Sequence, residues 1–369
     1  MNPQIANQSE DGDIYSFTLT NINVSLANAL RRIILSEIPT YAFVTDTYDN
    51  NLCNIEINTT RLHNEIIKQR LGCIPIHETN LDILTDTYIL EVDVKNDTDN
   101  IMYVTSEHFR IRNKENGNYL TESETKRIFP PNKITGYFID LVRLKPKISD
   151  SIPGEHLKLT AGFSVSMAKV NSMYNVVSKC AYGNTPDVTK INEVWEEKLS
   201  KFVSEGMEPQ DIQFQKNNFN TLDAQRIFKP DSFDYVIQTV GVYDNRSIIK
   251  KGCAVLQNKF VTMIDALNSD IVPMDRSETA IDHCYDITLE DEDYTIGKVL
   301  EYILYNTYYE GDKTLSFCGF KKFHPHLPNS TIRIAFVQNP GDGRRVCRDY
   351  LVDACTQAQK VFADIFKKF

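Results

Sequence analysis

Apolar and polar residues alternate from Ile14 to Thr20 and again from Cys284 to Glu290, the period of two that marks a half-buried strand. A polar turn follows each stretch. Beyond it the apolar positions fall at helical spacing, at 26, 30, 33 and 34 in one place and at 296, 300, 303 and 304 in the other. Ser25 and Thr295 stand where a hydroxyl would accept an orphan amide of the helix it opens, and Pro39 stops the first helix from running on. The two copies align at an offset of 270: Tyr15, Leu19, Leu26, Leu30 and Ile33 fall on Tyr285, Leu289, Ile296, Leu300 and Ile303.

Two longer helical patterns lie downstream. One runs from about Asn245 through Ile249, Leu256, Phe260 and Leu267, the other from about Arg344 through Leu351, Ala358, Val361, Phe362 and Phe366. Strands precede both, at Phe233–Val240 and Ile332–Val337. The head and tail of the chain therefore share the order strand, helix, strand, helix. Each helix carries an apolar stripe that a short half-domain could not cover alone, and the simplest way to hide both stripes is against each other. The predicted inter-half packing residues are Leu26, Leu30, Ile33, Ile34, Phe260, Ile296, Leu300, Ile303, Leu304, Val361 and Phe362. The expected class is α+β, with two related half-folds paired within one chain.

Residues 49–155 interrupt the first half with turns, short strands at Tyr88–Val94, Ile101–Thr105 and Tyr137–Leu144, and one short helix at about Leu62–Leu71 closed by Gly72 as a left-handed stop. The predicted layout is a first half at 1–48 and 156–268, a β-rich insertion at 49–155, a linker at 269–280 and a second half at 281–369.

The chain has 369 residues, 40 Lys and Arg against 50 Asp and Glu, and a net charge of −10, which speaks against a protein that grips phosphates along its whole surface. With 41% hydrophobic and 24% charged residues it is expected to fold throughout. Of eight cysteines the closest two, Cys347 and Cys355, are eight residues apart, so no knuckle can supply two thiolates to one zinc ion. The opening residues lack the basic and apolar regions of a secretory signal, and no run approaches the ~18 apolar residues of a membrane span. Reduced, intracellular thiols are the expectation.

The segment from Asn28 to Pro39, with Arg31 and Arg32, resembles the α-motif of the assembly subunits of multisubunit DNA-dependent RNA polymerases: bacterial alpha, its archaeal D-type counterpart and the third-largest eukaryotic subunit. Leu62–Ile76, with Glu65, Arg70 and Gly72, is similar to that family's helix and the Gly-x-Ile-Pro turn after it; Ala168-Lys169 and Val176–Ser178 are similar to a loop further on, and Val236–Lys259 to its last strand and long helix. Leu289–Leu300 and Phe317–His326 are similar to the smaller partner, the eleventh eukaryotic subunit or its archaeal L-type counterpart. The resemblance covers about 15–270 and 280–369. It implies a fusion of the two alpha-like subunits into an intramolecular pseudo-heterodimer, of the kind found in large DNA viruses. Many relatives carry a cysteine cluster in the insertion; here that stretch holds Cys53 and Cys73, and no metal is expected. Asn171 and Tyr174 depart from the usual loop.

The resemblance implies a noncatalytic platform that docks the two large catalytic subunits and small polymerase subunits, through Asn28, Arg31, Arg32, Glu65, Arg70, Gly72 and Lys169. It implies no cofactor, no sequence-specific DNA binding and no membrane. The place of action would be the virus factory in the host cytoplasm and the virion if the chain is viral, and the nucleus otherwise. Arginines on the flank of the first helix suit bidentate bonds to carboxylates or carbonyls of a partner. The competing class is a stand-alone metal-dependent nuclease or nucleotidyltransferase built on the acidic turn 290–293, whose plainer reading is a complement to a helix dipole. Cys318, His324 and His326 lack a fourth ligand, and the glycines 341 and 343 lack the Lys-Ser/Thr of a P-loop. A free-standing DNA-binding regulator is disfavoured by the net charge.

Overall fold

Both alternating stretches form strands, and each occupies the second position of a four-stranded sheet. In the computed structural model, which describes residues 1–45, 49–149 and 151–369, the first sheet runs Gln4–Asp11, Ile14–Thr20, Phe228–Thr239, Val177–Pro186, and the second runs Met274–Arg276, Cys284–Leu289, Ser330–Phe336, Leu315–Lys321. The order is the same in both: a leading edge strand, then the alternating strand, then the last strand, then the one before it. Tyr15 pairs antiparallel with Ile237, and its counterpart Tyr285 with Ile334.

The α-helices among the described residues are α1 (Val24–Ser36), α2 (Asn64–Gly72), α3 (Glu122–Ile128), α4 (Val188–Ser204), α5 (Pro209–Thr221), α6 (Asn245–Asn268), α7 (Tyr294–Leu304) and α8 (Gly343–Phe366). α1 and α7 follow the equivalent strands of the two sheets and begin at the same offset of 270. That offset extends into the turn, where Asn21 (φ 59°) and Asp291 (φ 55°) both take the left-handed conformation that Asn and Asp tolerate. Ser25 and Thr295 are not the caps. The Asn23 side-chain oxygen accepts the Ser25 amide and that of Asp293 the Thr295 amide, each at 2.8 Å, because a short side chain one step before the helix reaches the amide two residues ahead.

The chain divides into two compact units. The first comprises Met1–Ile34, Lys179–Gln238 and Ile249–Phe369, and so contains both sheets, most of α1 and α6, and all of α7 and α8. It also holds α4 and α5, which the apolar pattern did not predict; these enclose a small core of Trp195, Phe219 and Ala224. The linker is structured too: Met274–Arg276 pairs with Tyr285–Ile287 as the counterpart of the strand Gln4–Asp11.

The second unit comprises Leu35–Ser178 and Thr239–Ile248, wider than the expected 49–155, and the expected boundary at 48 falls on residues 46–48, outside the described residues. Its main sheet runs Cys53–Asn58, His156–Gly162, Tyr88–Lys95, Arg110–Asn113, over a core in which the rings of Phe43, Phe109, Phe129 and Phe163 meet. α3 is a second helix there, opened by a reciprocal pair in which the Thr121 hydroxyl accepts the Glu124 amide and the Glu124 carboxylate accepts the Thr121 amide. The strand expected from Tyr137 begins at Asp140. Gly72 is not a left-handed stop: it is the last residue of α2, followed by Cys73 at φ −89°, ψ −4°, and a side chain on it would meet the Phe43 carbonyl oxygen at 3.3 Å. Glycine lets the helix end lie close to that carbonyl without displacing it.

Candidate functional site

The apolar stripes of α1, α6, α7 and α8 all lie inside the first unit. Leu26, Leu30, Ile33, Ile34, Phe260, Ile296, Leu300, Ile303, Leu304, Val361 and Phe362 are all buried, none more than 4% exposed. Two contacts show how closely the elements approach. A side chain on Gly252 of α6 would come within 2.9 Å of Ile34 and 3.4 Å of Leu30, so the backbone of α6 rests directly on α1. The rings of Phe260 on α6 and Phe362 on α8 lie nearly parallel, 10° apart with centroids at 6.1 Å. At the end of the chain, the Phe369 ring meets Phe17 and Tyr15 edge-on at 5.0 and 6.2 Å.

A charged contact joins the first helix to the acidic turn. The Arg32 guanidinium donates from Nη2 to Asp293 Oδ2 at 2.6 Å and from Nε to Thr295 Oγ1 at 2.8 Å. Lys259 on α6 meets Glu292 at 2.9 Å. The resemblance puts Arg32 on a surface for a large subunit; its guanidinium is bonded within the chain, and its side chain stays about a third exposed. Burial opposes ionisation of Asp293, but hydrogen bonds from Thr295 and the charge of Arg32 outweigh it and hold the carboxyl below its usual range. With both side chains about a third exposed, the Arg32–Asp293 pair contributes about 0.2–1 kcal/mol, far less than the buried stripes that hold the unit together.

Arg31, the next residue, donates from Nε to Asn28 Oδ1 at 2.9 Å, and both are half-buried on the flank of α1. Asn28 also lines an open groove of about 610 Å³ with Asn23, Val24 and Ser25 from the head of the chain and Lys298, Glu301, Tyr302, Tyr305 and Cys318 from the tail.

The remaining expected docking residues belong to the second unit. Glu65 and Gly72 line a groove of about 520 Å³ together with Thr45, Lys68, Gln69, Cys73 and the turn Asn171–Met173. Arg70 is exposed and donates to the Asp140 carbonyl at 2.9 Å. Lys169 is exposed; its amide donates to the Ser36 carbonyl at 2.7 Å, and its ammonium lies 3.6 Å from Glu37. The structure thus brings Glu65 and Gly72 together with the 171–173 turn.

A family model described as the RNA polymerase Rpb3/Rpb11 dimerisation domain matches residues 16–260. The chain belongs to this family. Similar proteins include the DNA-directed RNA polymerases I and III subunit RPAC1 of Bos taurus, 24% identical over 308 residues covering 72% of this chain and 84% of that one. Over a shorter stretch, the DNA-directed RNA polymerase II subunit RPB3 of Schizosaccharomyces pombe is 41% identical across 66 residues, 18% of this chain and 20% of that one. The DNA-directed RNA polymerases II, IV and V subunit 3 of Arabidopsis thaliana is 40% identical over 74 residues, 20% of this chain and 21% of its own.

In this family member the candidate chemical groups are engaged structurally. Glu292 and Asp293, half of the acidic turn, bind Lys259, Arg32 and the first turn of α7. Burial pushes the Cys318 thiol up to about 12, and the Cys318 Sγ lies 3.8 Å from the Glu301 carbonyl. His324 and His326 stack edge to face at 4.9 Å. The Asp342 side chain accepts the Arg345 amide at 3.2 Å, so a carboxylate already caps the start of α8 where an anion would sit. Among the described residues, no three His, Cys, Asp or Glu come together as a metal site, and no helix is long and apolar enough to cross a membrane. Sequence reasoning missed the roles of Lys259, Glu292 and Thr295. A signal was present: at the offset of 270, Glu292 and Asp293 fall on the uncharged Ile22 and Asn23.

Proposed function

We propose that the chain is a noncatalytic assembly-platform subunit of a DNA-dependent RNA polymerase, in which two alpha-like half-folds pair within one polypeptide and dock the two large catalytic subunits. The observation that carries this reading is the recurrence, inside one compact unit of a member of this family, of the same four-strand order with helices at equivalent places. Burial of the stripe residues supports a permanent contact, since each Leu, Ile or Phe removed from water contributes about 1.5–3 kcal/mol before ordering costs. The RPAC1 and RPB3 relatives, by name, are polymerase subunits, and their similarity supports the same setting for this chain.

Asn28 and Arg31 on one unit, and Glu65, Arg70 and Lys169 on the other, are the residues we assign to the large-subunit surface, with Gly72 shaping the helix that presents them. Arg32 is assigned to the joint between the half-folds. Small polymerase subunits are further partners. The chain needs no cofactor of its own, and it acts where its polymerase acts: the nucleus, or the virus factory and virion if the fusion is virus-encoded. Native affinity purification of the tagged chain, with its companions identified by mass spectrometry, tests the assignment. Both largest polymerase subunits should come with it in equal amounts; a chain recovered without either would overturn the reading.

A further inference from the structure

The repeat relates α1 to α7 residue by residue, so every contact made by one copy has a counterpart that can be named from the sequence. Arg32 of the first copy reaches the cap of the second copy's helix, Asp293. Its counterpart at the offset of 270 is Tyr302, and the counterpart of Asp293 is Asn23. Tyr302 and Asn23 line the same groove, so the mirrored positions face one open space, and neither carries a charge. The second charged contact is equally one-sided: Glu292 meets Lys259, whereas the counterpart of Glu292 is Ile22, which is 1% exposed.

This asymmetry discriminates between pairings. If two heads from separate chains met, Arg32 would face Asn23 in place of Asp293 and Lys259 would approach a buried isoleucine in place of Glu292, so both of these ion pairs would be lost. If two tails met, Asp293 would face Tyr302 with no cation. Head on tail satisfies both pairs. We propose that Arg32–Asp293 and Lys259–Glu292 are specificity determinants that favour pairing of unlike half-folds and disfavour assembly of like halves from two copies of this chain. The proposal rests on the paired-half reading given under Proposed function.

The test uses the full-length chain and light scattering after size exclusion. Arg32→Glu places two carboxylates together, and Asp293→Arg two cations; each alone should shift the chain from monomer toward dimer, lowering the dimer dissociation constant at least about tenfold. The double variant carries the swapped pair in cis and should return to monomer. Co-expressing the two single variants with different tags should give a mixed dimer, because the carboxylate introduced at position 32 of one chain can then meet the guanidinium introduced at position 293 of the other. Asp293→Asn, which keeps a good cap while removing the charge, guards against loss of the α7 cap and should itself raise the dimer fraction. Variants that melt earlier yet stay monomeric, with no mixed dimer, would overturn the specificity role while leaving the paired halves intact. Variants that neither melt earlier nor dimerise would overturn the specificity role too, whereas the paired-half reading falls only if Leu30→Asp, at the buried stripe, leaves melting unchanged.

Discussion

Replacing Phe260 by alanine probes the contact between the long helices most directly. Its ring is fully buried and lies nearly parallel to that of Phe362 at 6.1 Å. Removing a buried phenylalanine from a packed core costs about 3–5 kcal/mol, the lost transfer energy plus the cavity that remains. Phe362→Ala should cost a similar amount. Because the rings touch, the two losses should not add: a coupling of about 0.5–1.5 kcal/mol is expected from the aromatic pair. Urea unfolding read by Trp195 fluorescence isolates the relevant transition, since that tryptophan is the single one in the chain and lies in the same compact unit as both rings. For a unit of this size each kcal/mol corresponds to about 2–4 °C, so each single variant should melt about 6–20 °C lower. Single losses below about 1 kcal/mol, or a double variant additive within about 0.5 kcal/mol, would refute the packing of α6 on α8 through these residues.

Leu30→Asp puts a carboxylate at a fully buried position against Gly252 of α6 and should cost more than about 4 kcal/mol, seen as loss of soluble folded chain; an unchanged melting temperature would contradict the helical contact. Asn28→Ala with Arg31→Ala should leave the circular dichroism and melting of the chain nearly unchanged while weakening capture of the large subunits, most visibly at high salt; full capture at 0.5 M salt, on the order of three times physiological ionic strength, would remove these residues from the docking surface. Asp293 and Asp286 have carboxyls held below their usual range in the fold, Asp293 against the pull of burial and Asp286 chiefly by its bonds from Arg333. A depressed folded pKa gives stability that is present above about pH 4 and disappears as pH falls through the folded value, so acid unfolding should steepen below about pH 4, and Asp293→Asn should remove part of that dependence. An acid profile identical in wild type and Asp293→Asn would show that the carboxylate is not held as described.

The elements that sequence periodicity finds are those with one strong face. α1, α6, α7 and α8 bury stripes, and their ends are legible to within a few residues because an apolar side chain every third or fourth position has one reading. α4 and α5 escape because they have little to bury: Trp195 is the buried residue of α4 and Phe219 that of α5, amid Asn, Gln, Lys and Glu. α3 is seven residues long and depends on its capping pair more than on a face. The charged joint is hidden for another reason. Arg32 on a helix flank and four acidic residues in a turn each have an adequate solvent-facing explanation, and only proximity in three dimensions, across more than 250 residues of chain, turns them into one contact. The strand Met274–Arg276 is hidden by its brevity, although its place before an alternating strand repeats that of Gln4–Asp11.

That short strand changes how the segment between the two sheets acts. A loose tether of about a dozen residues would raise the local concentration of one half near the other to the millimolar range and leave them otherwise independent. Here the tether is itself paired with Tyr285–Ile287, and Asp275 and Asp270 meet Arg344 and Arg348 of α8 at 3.1 and 2.9 Å. The slack is confined to a few residues on either side, so the ends of α6 and of the second sheet are joined by a short span. A short span favours pairing within the chain but cannot by itself choose which faces meet, since a head could still dock on a second head while its own tail stays nearby. Discrimination must then come from the faces, and one place where the two copies differ in charge is the turn that Arg32 and Lys259 reach. On the proposed pairing of half-folds, connection and charge therefore act on different errors: the tether would suppress dissociation, and the one-sided ion pairs would suppress pairing of like with like.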